Sequence, residues 1–240
     1  MISCDDRTHI AQRWREIGIA EHASIAAFAR FVLHLLSLAA PPDLIDRAIT
    51  AMGDEVDHAK LCFGVAKKFQ NTSVGPGCID VSNILTARDS PVSILGAAIR
   101  EGCICETISA EYARASCLKA TDASIREVLT KIAKDEKNHA DLSWDFVAWL
   151  IEAQPELAPA AAACFSHTVK SLSSGTAQDE LAGDAEQNYE DYGLDTQAGR
   201  LIIASQTIRE IILPRLAGMF GDAFDGPWNG MSVDVALAIH

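Results

Sequence analysis

The sequence predicts an all-α protein. It reads as a four-helix bundle with one long crossover over residues 1–154, followed by a C-terminal helical extension over residues 155–240 that packs on the bundle. Three observations carry this expectation. Apolar side chains recur at three- and four-residue spacing through four long segments. No segment before residue 155 shows the two-residue alternation of a half-buried strand. A stretch of about 19 residues, Asn71 to Asp89, interrupts the pattern around Gly75-Pro76-Gly77 and divides the four segments into two pairs.

The first helix is expected from about Thr8 to Ala39, with Ile10, Trp14, Ile17, Ile25, Phe28, Val32 and Leu35 on one stripe. Pro41-Pro42 ends that run and opens the second, since proline is tolerated in a helix's first turn; the second reaches about Phe69 or Gln70. Ser90-Pro91 reads as an N-cap and first-turn proline for a third helix ending near Ala120. Thr121-Asp122 caps a fourth, which continues to about Glu152. Extended, the 71–89 linker reaches roughly 60 Å, more than the roughly 45 Å of a 30-residue helix. It can therefore return the chain to the far end of the bundle, the one-crossover solution.

Beyond Gln154-Pro155, an Ala-rich helix is expected from Glu156 to about Ser171. An acidic segment with Asp179, Glu180, Asp184, Glu186, Glu190 and Asp191 reads as a solvated connector. A last amphipathic helix follows from Thr196 to about Phe220, carrying Leu201, Ile202, Ile208, Ile211 and Ile212; Pro214 should kink or end it. The final 20 residues read as irregular.

With 49% apolar and 22% charged residues among 240, the composition excludes a disordered chain. A net charge of −13 repels phosphate backbones and anionic membrane surfaces, which argues against nucleic-acid and membrane partners. Met1 to Arg7 lacks a basic-then-apolar leader, and no stretch approaches the roughly 18 consecutive apolar residues of a membrane span. A cytoplasmic protein is expected. The seven cysteines include no Cys-x-x-Cys pair, and Cys103 and Cys105 lie roughly 200° apart around a helix. Reduced, mostly buried thiols fit better than a disulfide framework or a metal knuckle.

The informative feature occurs twice. Asp54-Glu55-Val56-Asp57-His58-Ala59-Lys60-Leu61 and Asp135-Glu136-Lys137-Asn138-His139-Ala140-Asp141-Leu142 both read Asp-Glu-x-x-His-Ala-x-Leu. Glu and His three apart project about 60° from each other, so both reach one ion from a single helix face. That face is otherwise apolar, where an ionised Glu and a neutral His are costly unless paired or metal-bound. Glu21, among Ile17, Gly18, Ile25 and Phe28, and Glu106, among Gly102, Cys103 and Ala110, place a carboxylate on the core stripe of the other two helices.

Spacing puts all four positions at one height. Glu21 and Glu55 are 34 apart and Glu106 and Glu136 are 30 apart; after a tight turn each hairpin has nearly equal arms. Four carboxylates and two imidazoles suit iron or manganese, and four negative charges neutralise two divalent cations. The alternative is a bundle whose acids merely face water.

These residues, over about 8 to 152, resemble the ferritin-like superfamily of di-iron carboxylate proteins, in which two helices each give a Glu and two give Glu-x-x-His. The resemblance implies two iron ions, with manganese or a mixed iron–manganese pair as variants. It implies Glu55 and Glu106 as bridging ligands, with Glu21 and His58 on one ion and Glu136 and His139 on the other. It further implies that Asp54 and Asp135 each bond the histidine of the opposite helix and fix its tautomer; simple exposure is the alternative.

Departures narrow the resemblance. Rubrerythrin-type peroxidases carry a further Glu where this chain has Cys103, and usually a Cys-x-x-Cys iron domain. Arylamine N-oxygenases carry a third histidine where Ile132 stands, and multicomponent monooxygenases a Thr where Ala110 stands. Ribonucleotide reductase small subunits use a radical tyrosine, whereas Tyr112, Tyr189 and Tyr192 have no obvious place at the site. In size and helical tail the chain looks more like the compact single-chain oxygenases.

The expected function is therefore that of a non-haem di-metal oxidoreductase, an oxygenase or oxidase that activates dioxygen to oxidise a small organic substrate. Its partners would be that substrate, dioxygen and an external electron donor, in a monomer or homodimer. The alternatives are a ferroxidase, peroxidase or iron-handling protein without organic substrate, or a non-catalytic metal-stabilised bundle. Small residues at Ser24, Gly102, Cys103, Ala110 and Ala133 would leave room beside the metals, with Cys103 as buried filler the competing reading. Glu101, roughly 140° from Glu106 in an α-helix, reads as a surface or capping residue, with a place just outside the ligands as the alternative. His22 points about 100° from Glu21, and His9, His34 and His167 have no partner pattern.

Overall fold

Ser3 starts the first helix through a reciprocal cap: its hydroxyl accepts from the Asp6 N–H at 3.0 Å, and the Asp6 carboxylate accepts from the Ser3 N–H at 3.2 Å. The computed structural model describes residues 2–70, 75–82, 89–173 and 188–221. Helix α1 spans Cys4–Ser37, four residues earlier than periodicity places its start, because the cap lies ahead of the apolar stripe. Ala39, at φ 54°, turns the chain into α2, Pro42–Phe69, with proline in its first turn.

Ser90 caps the third rod, accepting from the Ser93 N–H at 3.2 Å. This rod is not a uniform α-helix. It runs as α3, Pro91–Ala97, then a π-helical stretch, Ala98–Glu106, then α4, Thr107–Lys119. Asp122 caps α5, Ala123–Ala153, by accepting from the N–H groups of Ser124 and Ile125. Two ion pairs fix the connectivity. His34, near the end of α1, lies 2.8 Å from Asp89, just ahead of α3. Lys68, at the end of α2, lies 2.5 Å from Asp122, at the start of α5. The second helix thus ends at the opposite end of the helices from where the third rod begins, an arrangement compatible with a lengthwise crossover. Residues 75–82 between them are exposed, and the rest of the 71–88 stretch lies outside the described residues.

The core forms two clusters. Phe28, Leu35, Leu44, Ile94, Ile99, Phe146 and Leu150 belong to one; Ile10, Trp14, Cys62, Phe69, Ile125 and Leu129 belong to the other. Between them in sequence lie Glu21 on α1, Glu55 and His58 on α2, and Glu136 and His139 on α5; on the third rod Glu106 is followed by Ile108 of the first cluster before Ala113 of the second.

The described part of the extension lies on the bundle. Helix α6, Ala158–Ser173, puts Phe165 on Trp144, rings stacked at 5.1 Å and 10°. Ser116 donates to Asp195 at 2.7 Å, and Thr196 caps α7, Gln197–Thr207. A π turn, Ile208–Ile212, leads into α8, Leu213–Phe220. Pro214, expected to kink or end the helix, does not end the helical run: it sits at the start of α8, just past the π turn that interrupts the α-helical pattern. Glu190 is not free in solvent but accepts from Lys119 at 2.8 Å. Asp191 is exposed, its backbone carbonyl accepting from the Thr121 N–H at 3.0 Å. The remaining expected connector acids, Asp179, Glu180, Asp184 and Glu186, and the irregular tail from residue 222 lie outside the described residues, as do residues 174–187 generally. Among the described residues there is no strand, only a bridge between Tyr189 and Leu194.

Among the described helices, α1 is long and apolar enough to cross a membrane by length and composition. Glu21, Arg30 and His34 interrupt its apolar run, so it holds no unbroken apolar span, and its surface carries Ile19, Leu33 and Leu36.

Candidate metal centre

Each bundle helix delivers its part of the centre from mid-length. Glu21 comes from α1, Glu55 and His58 from α2, Glu106 from the end of the π stretch, Glu136 and His139 from α5. They meet in two groups, Glu21, Glu55, His58 and Glu136, and Glu55, Glu106, Glu136 and His139; within each, one ligand atom per residue lies within 4.8 Å of the others. His58 Nδ1 is 3.3 Å from Glu136, 3.6 Å from Glu21 and 3.7 Å from Glu55. His139 Nδ1 is 3.1 Å from Glu55 and 4.0 Å from both Glu106 and Glu136.

The residues shared by the two groups are Glu55 and Glu136. The resemblance implied Glu55 and Glu106 instead. The reason is register: α2 and α5 face each other across the centre, so their two motifs interlock, whereas Glu21 and Glu106 approach from the flanks.

The outer nitrogens are held. His58 Nε2 lies 3.2 Å from Asp135 and His139 Nε2 lies 3.3 Å from Asp54, each across to the opposite helix. Lys131 donates to Asp135 at 2.6 Å. Burial works against the Asp135 charge, but Lys131 and His58 outweigh it and hold the carboxyl below its ordinary range. Each ring thus has a carboxylate at Nε2 and turns Nδ1 towards the carboxylates of the centre.

Three buried atoms of this centre have no hydrogen-bond partner: Glu55 Oε2, His58 Nδ1 and His139 Nδ1. Buried polar atoms are nearly always satisfied, and all three here point at the common space of the two groups. Their chemistry, carboxylate oxygen and imidazole nitrogen, fits borderline divalent metals. The electrostatics agree. Burial pushes Glu21 up to about 7 against the pull of His58. Burial and the neighbouring Glu136 push Glu106 well above the carboxylate range. Burial opposes charge on His58, yet Glu136, Glu21 and Glu55 overcome it and raise that imidazole to about 12. Four carboxylates in a dry layer are thus held together by protons when cations are lacking.

The π stretch decides the surroundings of Glu106. Its i→i+5 pattern brings residues five apart onto one face, so Glu101 joins Glu106 instead of lying 140° away. Both, with Gly102, line a cleft of about 40 Å³ whose other walls are Ala27, Phe28, Arg30, Phe31 and His34 of α1, Ala97, Ala98 and Ser143. Of the positions expected to leave room beside the centre, Gly102 lines this cleft. Ser24, Cys103, Ala110 and Ala133 do not; the same change of register turns Cys103 fully into the core. Sequence reasoning missed Arg30, which meets Glu101 at 2.5 Å over the cleft, and Phe28, edge-on to His139 at 5.0 Å. A broader polar cleft of about 730 Å³ lies behind His139, lined by Arg47, Asp54, Lys137 and Asp145 among others.

No protein-family model matches the chain, and neither a curated protein nor a solved structure matches it. The described chain is predominantly helical, with no strand, and gathers a Glu/His cluster that could hold metal, an arrangement compatible with a di-iron site.

Proposed function

We propose that the chain is a ferritin-like di-metal oxidoreductase of the cytoplasm that uses two iron ions, or an iron–manganese pair, to activate dioxygen and oxidise a small organic substrate. The observation that carries this reading is the set of orphaned ligand atoms, Glu55 Oε2, His58 Nδ1 and His139 Nδ1, buried among four carboxylates. Glu21 and His58 would hold one ion, Glu106 and His139 the other, and Glu55 and Glu136 would span both. Bound there, two redox metals supply the electrons and the Lewis acidity that dioxygen reduction needs.

The protein's own contribution is orientation and exclusion. Asp54 and Asp135 hold the two imidazoles in the ligating tautomer. The two apolar clusters keep water from the layer between them, and Phe28 shields His139. The cleft reaching Glu106 favours an organic substrate over simple iron handling, because storage needs no apolar recess beside one ligand.

Anaerobic loading with Fe(II) tests the reading. Two ions per chain, followed by a new near-ultraviolet or visible band on admitting dioxygen, are expected. Less than one metal per chain after reconstitution overturns it, and many irons per chain would point to storage. His139→Ala should lose loading while the helical circular dichroism is kept.

A further inference from the structure

The cleft beside Glu106 has an apolar body and a charged mouth. Ala27, Phe28, Phe31, Ala97 and Ala98 form its walls, and Arg30 and Glu101 close over it at 2.5 Å. Its volume of about 40 Å³ holds about three water-sized groups, at roughly 10–15 Å³ each. The two members of the closing pair are unequally anchored: the Arg30 side chain is 29% exposed and that of Glu101 52%. Glu101 therefore swings to solvent at the lower cost, leaving the guanidinium in place on the cleft. A guanidinium presents a planar fork that matches a carboxylate with two parallel hydrogen bonds. The neighbouring His34 is already taken by Asp89 at 2.8 Å, so Arg30 is the group on the cleft that can exchange its partner.

The geometry points to a compact aliphatic carboxylate as the substrate class, its head group replacing Glu101 on Arg30 and its short chain lying between Phe28, Phe31 and Ala98 towards Glu106. This rests on the metal reading above only for what happens at the far end of the chain. The head-group recognition belongs to Arg30 and the cleft alone.

The probes are butanoate, whose three carbons beyond the carboxyl match the cleft, and butanamide and butylamine, which match it in length but not in charge. Binding is measured by ligand-observed NMR on the metal-free full chain and again after metal loading. Butanoate should bind about tenfold or more tighter than butanamide, the weight of a charge-assisted pair. Arg30→Gln should remove that preference, Glu101→Gln should tighten butanoate by freeing Arg30, and Ala97→Leu should weaken all three probes by filling the cleft. Thermal melts of the same variants, which alter half-buried or exposed positions, check folding.

Equal binding of butanoate and butanamide, tighter binding of butylamine, or an unchanged preference in Arg30→Gln overturns the inference. The two readings fail separately. A chain that binds butanoate through Arg30 but takes up no metal defeats the metal centre and leaves the recognition standing. A chain that loads two ions but shows no carboxylate preference does the reverse.

Discussion

At the scale of the residue, the centre is a problem of charge in a dry layer. His58 is raised to about 12 and Glu21 to about 7, and Glu106 is raised as well. Near neutral pH the metal-free chain therefore holds a proton on His58 and part of one on Glu21, and Glu106 is shifted in the same direction as Glu21. Metal binding requires the bare Nδ1 and ionised carboxylates, so it must expel these protons. Loading a weakly buffered sample at pH 7 with Mn(II) should acidify it by at least one proton per chain, read with an indicator dye. Apparent affinity should rise with pH, more steeply below about 7, where Glu21 still holds a proton to be displaced, than above it. Loading with no proton release would contradict this assignment. The outer nitrogens give a second expectation: Asp135→Asn, which removes the ionised partner of His58 Nε2, should weaken metal binding about 10–100-fold while leaving the fold intact, measured by competition with a chelator.

At the scale of the element, the π stretch Ala98–Glu106 is the departure that shapes the site. It places Glu101, Gly102 and Glu106 on one cleft, and Gly102 lies so close to α5 that a Cβ there would overlap the side chain of Ser143. Gly102→Ala should cost about 1–3 kcal/mol in denaturant unfolding. Adding Ser143→Gly should return much of that loss, because the clash is with Ser143 Cβ and Oγ; additive losses would refute the contact. The α1–α2 turn carries a different strain. Ala39 is a non-glycine residue at φ 54°, a conformation costing about 1–2 kcal/mol. Ala39→Gly should therefore raise stability by about 0.5–1 kcal/mol after the greater freedom of the unfolded glycine is subtracted.

Element boundaries were legible where local chemistry sets them. Ser90-Pro91 and Asp122 cap helices at the expected places, since a cap needs only neighbours in sequence. The π stretch was not legible, because its i→i+5 bonds leave the apolar pattern of an ordinary helix with its phase shifted. Glu101 is exposed as expected, and only its place on the cleft beside Glu106 went unread for that reason.

At the scale of the whole molecule, two apolar clusters sandwich one polar layer, and the described extension covers both. Phe165 and Leu216 join the first, and Leu194 joins the second. Gly193, at φ 75°, passes so near the bundle that a Cβ would stand 2.7 Å from Leu129. The layer is the weak plane, because its acids repel one another and three of its atoms are unbonded. Divalent metal should strengthen it: at 100 times the dissociation constant, binding adds about 2.7 kcal/mol, or roughly 5–10 °C in melting temperature for a chain of this size. Calorimetry with metal and then with excess chelator checks this, and a melting temperature indifferent to both would contradict it.

The amino-acid sequence by itself determined the helices, their order, the need for a lengthwise crossover and the six Glu and His positions that stand level, because periodicity, caps and spacing are local or one-dimensional properties. Tertiary structure decided what depends on the relative placement of distant segments. Glu55 and Glu136, 81 residues apart in the chain, are the shared pair because α2 and α5 interlock in one register. Arg30 meets Glu101 because the π stretch turns the third rod towards α1. Neither contact has a signature in sequence, since each is fixed by helix phase and packing and not by neighbouring residues.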